Sequence, residues 1–433
     1  MNRRPVVLAG LALSIALALG ALPRPAAVVA PLHADGAITW SKDIAPIAQQ
    51  HCQTCHRPGD IGPMSLLAYA DAYRSRQKIL RAVDRRRMPP WKPVEGFGEF
   101  LDVRRLTDPE IALIRDWVAA GAPEGDPRDL PPPRQWPEGW RLGAPDAVLA
   151  PAAAFDVPAS DRDLYRCFVI PTAYAEDRWV SAVEFMPGNR KIVHHVLTYL
   201  DTSGASAALA ASDRGGYSCF GGPGFAPTGG LGGWAPGAPP QVNPEGTALL
   251  LPAGARVVMQ VHYHNRSSET QADHSQIGLH FARTPVDKRV RSIPVVNRDF
   301  VIPAGAARYE VRATHTIPAG RNLHATGVAP HMHLLGREMK VTATYPDGTV
   351  VPLIYIDDWD FHWQGTYTFK KPVPLPGGTR IDVTAVYDNS PSSPHQPSVP
   401  PRDVGWGDET ADEMCIAFVR VTADAEHLDR RPR

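Results

Sequence analysis

The chain has 433 residues, room for two to four domains, and its 45 basic and 45 acidic side chains cancel. A net charge of zero argues against nucleic acid as the main partner. Proline (45) and glycine (36) are abundant without a repeat period, yet 43% of residues are hydrophobic; this excludes a disordered chain and fits a turn-rich β protein with a core. Sixteen histidines against five cysteines turn any metal chemistry towards imidazole.

Residues 1–34 read as an export signal. Arg3 and Arg4 precede an apolar run from Val6 to Leu22, and Pro23, Arg24 and Pro25 follow without a stop-transfer pattern. A retained anchor is the alternative, because the run is near the shortest length that spans a bilayer. Cleavage is preferred, leaving no membrane span in the mature chain. In either case the folded part lies outside the cytoplasm, periplasmic or secreted.

Ser41 to His51 is expected to form a short helix with Ile44, Ile47 and Ala48 on one face. It runs into Cys52-Gln53-Thr54-Cys55-His56, the attachment pattern of a c-type haem: two thiols bond the haem and the histidine ligates iron. A disulfide or zinc pair is the alternative. A second helix, about Ala72 to Arg85, stops before Met88-Pro89-Pro90-Trp91. A residue before proline is pushed into extended backbone, so Met88 is placed on a loop as the sixth iron ligand, with core packing as its ordinary alternative. Thr107 and Glu110 form a capping box for a third helix, which presents Ile111, Ile114, Trp117 and Val118 and ends at Gly121. Residues 38–125 resemble a small all-α class I cytochrome c domain.

Residues 123–140 hold Pro123, Pro127, Pro131, Pro132, Pro133 and Pro137, and a semi-rigid linker is expected over 126–139. Beyond it, short alternating runs broken by Pro and Gly indicate β-sandwich or jelly-roll architecture. Leu251-Pro-Ala-Gly-Ala-Arg256 leads to Tyr263-His264-Asn265, and Leu375-Pro-Gly-Gly-Thr-Arg380 leads to Tyr387-Asp388-Asn389. Each copy has a histidine pair upstream. Two similar all-β domains, 140–286 and 287–425, are expected, with shared turn chemistry as the alternative.

Pro330-His331-Met332-His333 would put both imidazoles on one face of a strand, a ready chelate for a transition metal. Adjacent His194 and His195 face opposite ways on a regular strand, so a shared metal requires a twist or bulge, or rings that use different nitrogens. A third imidazole comes from His262 or His264, which share a face. The position repeating His262 is Val386, so the second site needs another ligand; Met414 is the candidate, either a thioether for Cu(I) or a core residue.

The motifs His194-His195, His262-Tyr263-His264-Asn265, His331-Met332-His333-Leu334-Leu335-Gly336 and Asp412-Glu413-Met414-Cys415, in this order, resemble the type II copper, ascorbate-dependent monooxygenases. That family includes dopamine β-hydroxylase and peptidylglycine α-hydroxylating monooxygenase. The resemblance covers residues 150–425. It implies two jelly-roll domains separated by a solvent-filled cleft, an electron-transfer copper on His194, His195 and His262, and an oxygen-binding copper on His331, His333 and Met414. It implies hydroxylation of an activated C–H bond by O₂, with two electrons from ascorbate; the fused haem domain departs from the family and is expected to deliver electrons to the His194 copper, replacing or relaying ascorbate. The peptide-hydroxylating members hold a substrate carboxylate with an Arg, an Asn and a Tyr where this chain has Ala329, Ile416 and Phe418. A less polar small-molecule substrate is therefore expected, and a redox partner protein would recharge the haem. An exported haem–copper electron-transfer or copper-binding protein without oxygenase activity is the alternative. His274, His280, His315, His324, His362 and His395 read as ordinary surface or core residues. Cys167, Cys219 and Cys415 cannot be paired from the sequence.

Overall fold

The structure, a computed structural model, describes residues 36–136, 139–160, 162–213, 215–407 and 409–429. The expected export signal lies outside the described residues. Among the described residues no helix is long and apolar enough to cross a membrane.

The N-terminal part is helical. Residues 40–52 form one run that is wider wound at its ends, where the N–H of Ile44 reaches Thr39 O (3.3 Å) and that of Gln53 reaches Ala48 O (2.9 Å). The second helix, Tyr69–Asp84, begins three residues earlier than expected and buries Ala72 and Val83. The third, Asp108–Ala119, carries the expected capping box: Thr107 N–H donates to the Glu110 carboxylate (2.7 Å) and Glu110 N–H to Thr107 Oγ1 (3.4 Å). Gly121, at φ +87°, takes the left-handed turn after it. Trp40, Ile44, Ile47, Ile111, Ile114 and Trp117 share one core.

Two segments of this part leave the helices. Residues 91–101 run along the C-terminal β region: Val94 N–H donates to Tyr355 O (2.8 Å), Lys370 N–H to Glu99 O (2.8 Å) and Leu101 N–H to Thr368 O (2.9 Å). Phe100 is buried in that region's core and stacks on Phe369 (5.4 Å), while Trp91 meets Tyr367 edge-on (5.4 Å). The proline-rich stretch folds back rather than standing free. Arg134 donates to Gln49 O (2.8 Å), Gln49 to Pro132 O (3.1 Å), and Arg57 and Arg134 both cover the Trp136 ring.

Most of the remaining chain is β-sheet, in two sandwiches. In the first, the strands Arg178–Met186 and Gln276–Phe281 of one sheet face Leu164–Pro171, Val193–Asp201 and Arg256–Tyr263 of the other. Val180, Val183, Ile277 and Leu279 meet Val196, Leu200, Val257, Met259 and Val261 between them. In the second, Arg291–Asn297, Cys415–Ala423, Leu323–His331 and Tyr367–Leu375 form one sheet, in that order. Tyr309–Thr316, Arg380–Tyr387, Gly336–Thr344 and Val350–Ile356 form the other.

The repeat read from the sequence appears as two interior strands, Arg256–Tyr263 and Arg380–Tyr387, whose ends are shifted by the same 124 residues. The following asparagines are equivalent too. Asn265 Nδ2 donates to Val157 O and Glu269 O (both 3.0 Å), and Asn389 Nδ2 to Arg402 O (2.8 Å) and Pro303 O (3.1 Å). The histidine pairs are not equivalent. Val193–Asp201 pairs with Arg256–Tyr263, but Leu323–His331 lies in the opposite sheet from Arg380–Tyr387.

Cys167 and Cys219 form a disulfide across a separation of 52 residues; Cys415 is free and buried. Closing a loop of that length should stabilise the fold by about 4 kcal/mol on the chain-entropy account. The double variant Cys167→Ser/Cys219→Ser should therefore melt several degrees lower without reductant. An unchanged midpoint would show that the bridge carries no stability.

Candidate metal centres

The strand Val193–Asp201 pairs with Arg256–Tyr263 in regular register until Val261↔Val196 and His262↔His195, and then Tyr263 pairs with Val193. His194 is the extra residue. This bulge turns two adjacent histidines to the same side, as a shared metal requires. His194 Nδ1 lies 3.3 Å from His195 Nδ1, which lies 3.2 Å from His262 Nδ1. Those spacings match the edge of a tetrahedron, about 3.3 Å, whose nitrogens stand about 2.0 Å from a central metal. Spacing alone left His262 and His264 open; the structure brings in His262. His264 turns away to Asp163 (2.7 Å).

Outer contacts orient these rings. Tyr165 stacks flat on His262, with centroids 4.2 Å apart and 9° between planes. His262 Nε2 is 3.2 Å from the Asp163 carboxylate, near enough for an ion pair though not aligned as a hydrogen bond. A carboxylate behind a ligating imidazole fixes its tautomer. Asp163 also accepts from Thr410 of the second sandwich (2.8 Å), so it ties the two β domains together at the site. Burial alone would raise its pKa, but His262 and His264 hold it below the usual carboxylate range. Burial, with the neighbouring His262, lowers His194 to about 3 and His195 well below its ordinary value. The cluster is thus neutral imidazole at physiological pH, the form that ligates metals.

The second group differs from the expected geometry. The strand ends at His331, and His333 lies in the turn before Gly336–Thr344. The two histidines are therefore not on one strand, yet their rings are 5.2 Å apart. His331 Nδ1 meets Gln364 Oε1, and His333 Nδ1 meets Asp412 O at 3.1 Å. With Nδ1 engaged in each ring, Nε2 is the nitrogen that would face a metal. Burial, then His331, lowers His333 to about 3.

Glu413, which sequence reasoning gave no role, organises this turn. Its fully buried carboxylate accepts from the N–H groups of His333 (2.9 Å), Leu335 (2.6 Å) and Met414 (3.3 Å). Burial pushes it up to about 8 against the pull of these donors. The clamp holds Met414, half-buried, beside the His331 turn; two positions on, Ile416 pairs with His331. Met414 O also accepts from Tyr387 (2.7 Å).

One side chain joins the two groups. Phe361 lies 5.3 Å from the His194 ring and 5.8 Å from the His333 ring. A phenyl ring therefore stands between the histidine groups where the resemblance implies an open cleft. His331 and His333 are near enough to help depress His195. His362, read from the sequence as an ordinary histidine, stands 5.8 Å from His194.

In the helical part, Cys52 and Cys55 are not joined to each other, and burial pushes the Cys52 thiol up to about 12. His56 Nδ1 is 3.1 Å from Met64 O, which leaves Nε2 open. Met88 lies half-buried on the loop after the second helix, its N–H on Ala82 O (3.3 Å).

Residues 291–425 match the family model described as copper type II ascorbate-dependent monooxygenase, C-terminal domain. The DBH-like monooxygenase protein 1 of Homo sapiens is 24% identical over 309 residues, 61% of this chain and 45% of its own. The chain thus spans less than half the length of the curated relative it matches. Among solved structures, one of infectious bursal disease virus, Gt strain, is 9% identical with a TM-score of 0.21, over 66% of this chain and 77% of that one. The PBSX exported protein XepA is 10% identical with a TM-score of 0.17, over 56% of this chain and 86% of its own. Scores this low carry no argument about the fold. The two sequence matches support placing residues 291–425 among the copper type II, ascorbate-dependent monooxygenase domains.

Proposed function

We propose that this chain is an exported copper monooxygenase that hydroxylates a C–H bond of a small, weakly polar substrate with O₂. Its electrons come from ascorbate, from a covalently bound c-type haem, or from both. The observation that carries the reading is the convergence of three imidazoles, His195 Nδ1 standing 3.3 Å from His194 Nδ1 and 3.2 Å from His262 Nδ1, with a second histidine pair one phenyl ring away.

The chemistry of the donor sets suits copper. His194, His195 and His262 would hold one copper, and His331, His333 and Met414 the other, with a thioether favouring Cu(I). Copper there supplies the activation of O₂ and the storage of single electrons. The protein keeps the imidazoles neutral, fixes their tautomers through Asp163, Gln364 and Asp412 O, and shields them from bulk water with Phe361. Ala329 pairs with Phe418 and His331 with Ile416, so the sheet next to the second pair is apolar. A buried carboxylate would find no cationic partner in these side chains, which favours a less polar substrate.

In the helical part a haem would be held by Cys52, Cys55 and His56, with Met88 as the sixth ligand. Arg57 Nη1 and Trp136 Nε1, packed together after the attachment motif, are buried donors without an acceptor. A haem propionate would satisfy them. A periplasmic or secreted location agrees with the disulfide, which persists in oxidising compartments. A soluble redox protein would recharge the haem.

Metal and haem content of the exported protein, beside His333→Ala, tests this. Two coppers and one haem are expected, with one copper lost in the variant and O₂ uptake coupled to substrate in wild type alone. Two coppers without coupled uptake would reduce the protein to electron transfer, and no copper after reconstitution would end the reading.

A further inference from the structure

We propose that the loop of residues 357–364 is the electron path from the haem-attachment motif to the copper-binding histidines, with Trp363 at its haem end and Phe361 and His362 at its copper end. The route rests on the haem–copper reading above and adds to it the residues that connect the centres.

The loop joins the strands Val350–Ile356 and Tyr367–Leu375. Gly237 marks its haem end. A Cβ on that glycine would lie 3.4 Å from the Trp363 ring and 3.8 Å from both Cys55 Sγ and the Arg104 guanidinium. Trp363 and the thiol that would carry a haem thioether therefore border one residue, whose φ of +77° favours glycine. The Gly237 carbonyl accepts from Arg104 (3.0 Å), which fixes this meeting point. At the base of the loop, Asp358 pairs with Lys92 (2.7 Å), four residues beyond Met88. Both flanks of the expected haem site thus reach the same loop.

At the copper end Phe361 stacks on His194 at 22°, and the His362 ring lies 5.6 Å from Phe361 and 5.8 Å from His194. The loop is held in one arrangement. Trp359 N–H donates to Arg337 O (2.8 Å), Trp359 Nε1–H to His333 O (3.2 Å), Trp363 N–H to Asp360 O (3.0 Å) and Gln364 Nε2–H to Phe361 O (3.0 Å). Adjacent residues of one rigid segment so touch the thiol side and both histidine groups.

The step is one electron. Ferrous haem iron becomes ferric, cupric ion at the His194 cluster becomes cuprous, and no bond to the protein forms or breaks. Electron tunnelling weakens exponentially with the gap to be crossed, so packed aromatic rings and backbone carry it better than solvent. A competing route exists on the first sandwich, where Asp60, after the haem motif, pairs with Arg190 (3.0 Å), four residues before His194.

The test uses the holoprotein with haem and copper bound. A flash of a one-electron photoreductant reduces the haem, and the decay of ferrous absorbance is followed together with the cupric EPR signal. In wild type the decay should be independent of protein concentration. Trp363→Leu and Phe361→Leu, with unchanged haem and copper contents, should slow it severalfold, because each removes an aromatic ring from the packed path. Trp363→Phe should recover most of the rate. Unchanged rates in both leucine variants would overturn the route and leave the haem reading standing, with Arg190→Gln as the next variant. Decay that scales with wild-type concentration would overturn the haem-donor reading and the route together.

Discussion

On the proposed reading, His262→Ala should cost the protein one of two coppers and nearly all substrate-coupled oxygen uptake, while haem content is unchanged. The reason is the geometry of the bulge. The bulge at His194 turns His194 and His195 to one side, and His262, paired with His195 across the register slip, brings the third imidazole to them. Two imidazoles without the third leave an open, weaker chelate. The affinity lost should therefore exceed the roughly 10–100-fold that removal of an outer-shell partner costs. Asp163→Asn supplies that milder comparison. It keeps shape and the approach to Thr410 but weakens the hold on the His262 ring, and should fall within the outer-shell range. Copper titration against a chelator, with the cupric EPR signal resolved for each site, reads both variants. Equal affinity in wild type and His262→Ala would remove His262 from the site and return the question to His264.

What could be read from the chain was whatever is local. The capping box at Thr107 and Glu110 depends on four residues and appears as expected. Strand alternation left a twist, a bulge or the use of different ring nitrogens at His194-His195, and the structure has the bulge. Long-range placement was another matter. The equal offset of Arg256–Tyr263 and Arg380–Tyr387 is real, yet it does not extend to the histidines, because Leu323–His331 was assigned by the fold to the opposite sheet. Turn chemistry repeats more readily than sheet order does. Expecting His331 and His333 on one strand failed for a related reason: Glu413, distant in sequence, takes the N–H groups of His333 and Leu335 that a ladder would otherwise use. Phe361, His362 and Gln364 carry no motif at all. Their role follows from a loop lying across both sandwiches, which no spacing rule encodes. The Cys167–Cys219 bridge was hidden likewise, since pairing depends on which strands become neighbours.

The largest structural penalty outside the histidines should come from Glu413→Ala. Its carboxylate collects N–H donors from the His333 turn and from Met414, so one side chain couples the imidazole and thioether halves of the second centre. Truncation leaves those buried donors without an acceptor, at about 1–3 kcal/mol for each one that water cannot reach. A total of the order of 3 kcal/mol or more is expected, seen as a lower unfolding midpoint. Copper at the His331 group should weaken with it, because the turn loses the contact that sets His333 beside Met414. The first centre should keep its copper, since its ligands come from the other sandwich and contact Glu413 nowhere among the described residues. Glu413→Gln separates the two effects. It retains an acceptor oxygen for part of the clamp but turns an amide N–H₂ towards a backbone donor, so its stability should fall between wild type and alanine. Equal melting of all three proteins, with both coppers bound, would show that the clamp does not organise the site. Loss of both coppers in Glu413→Ala would instead mean that the centres, joined through Phe361, Asp163 and Thr410, are assembled as one unit.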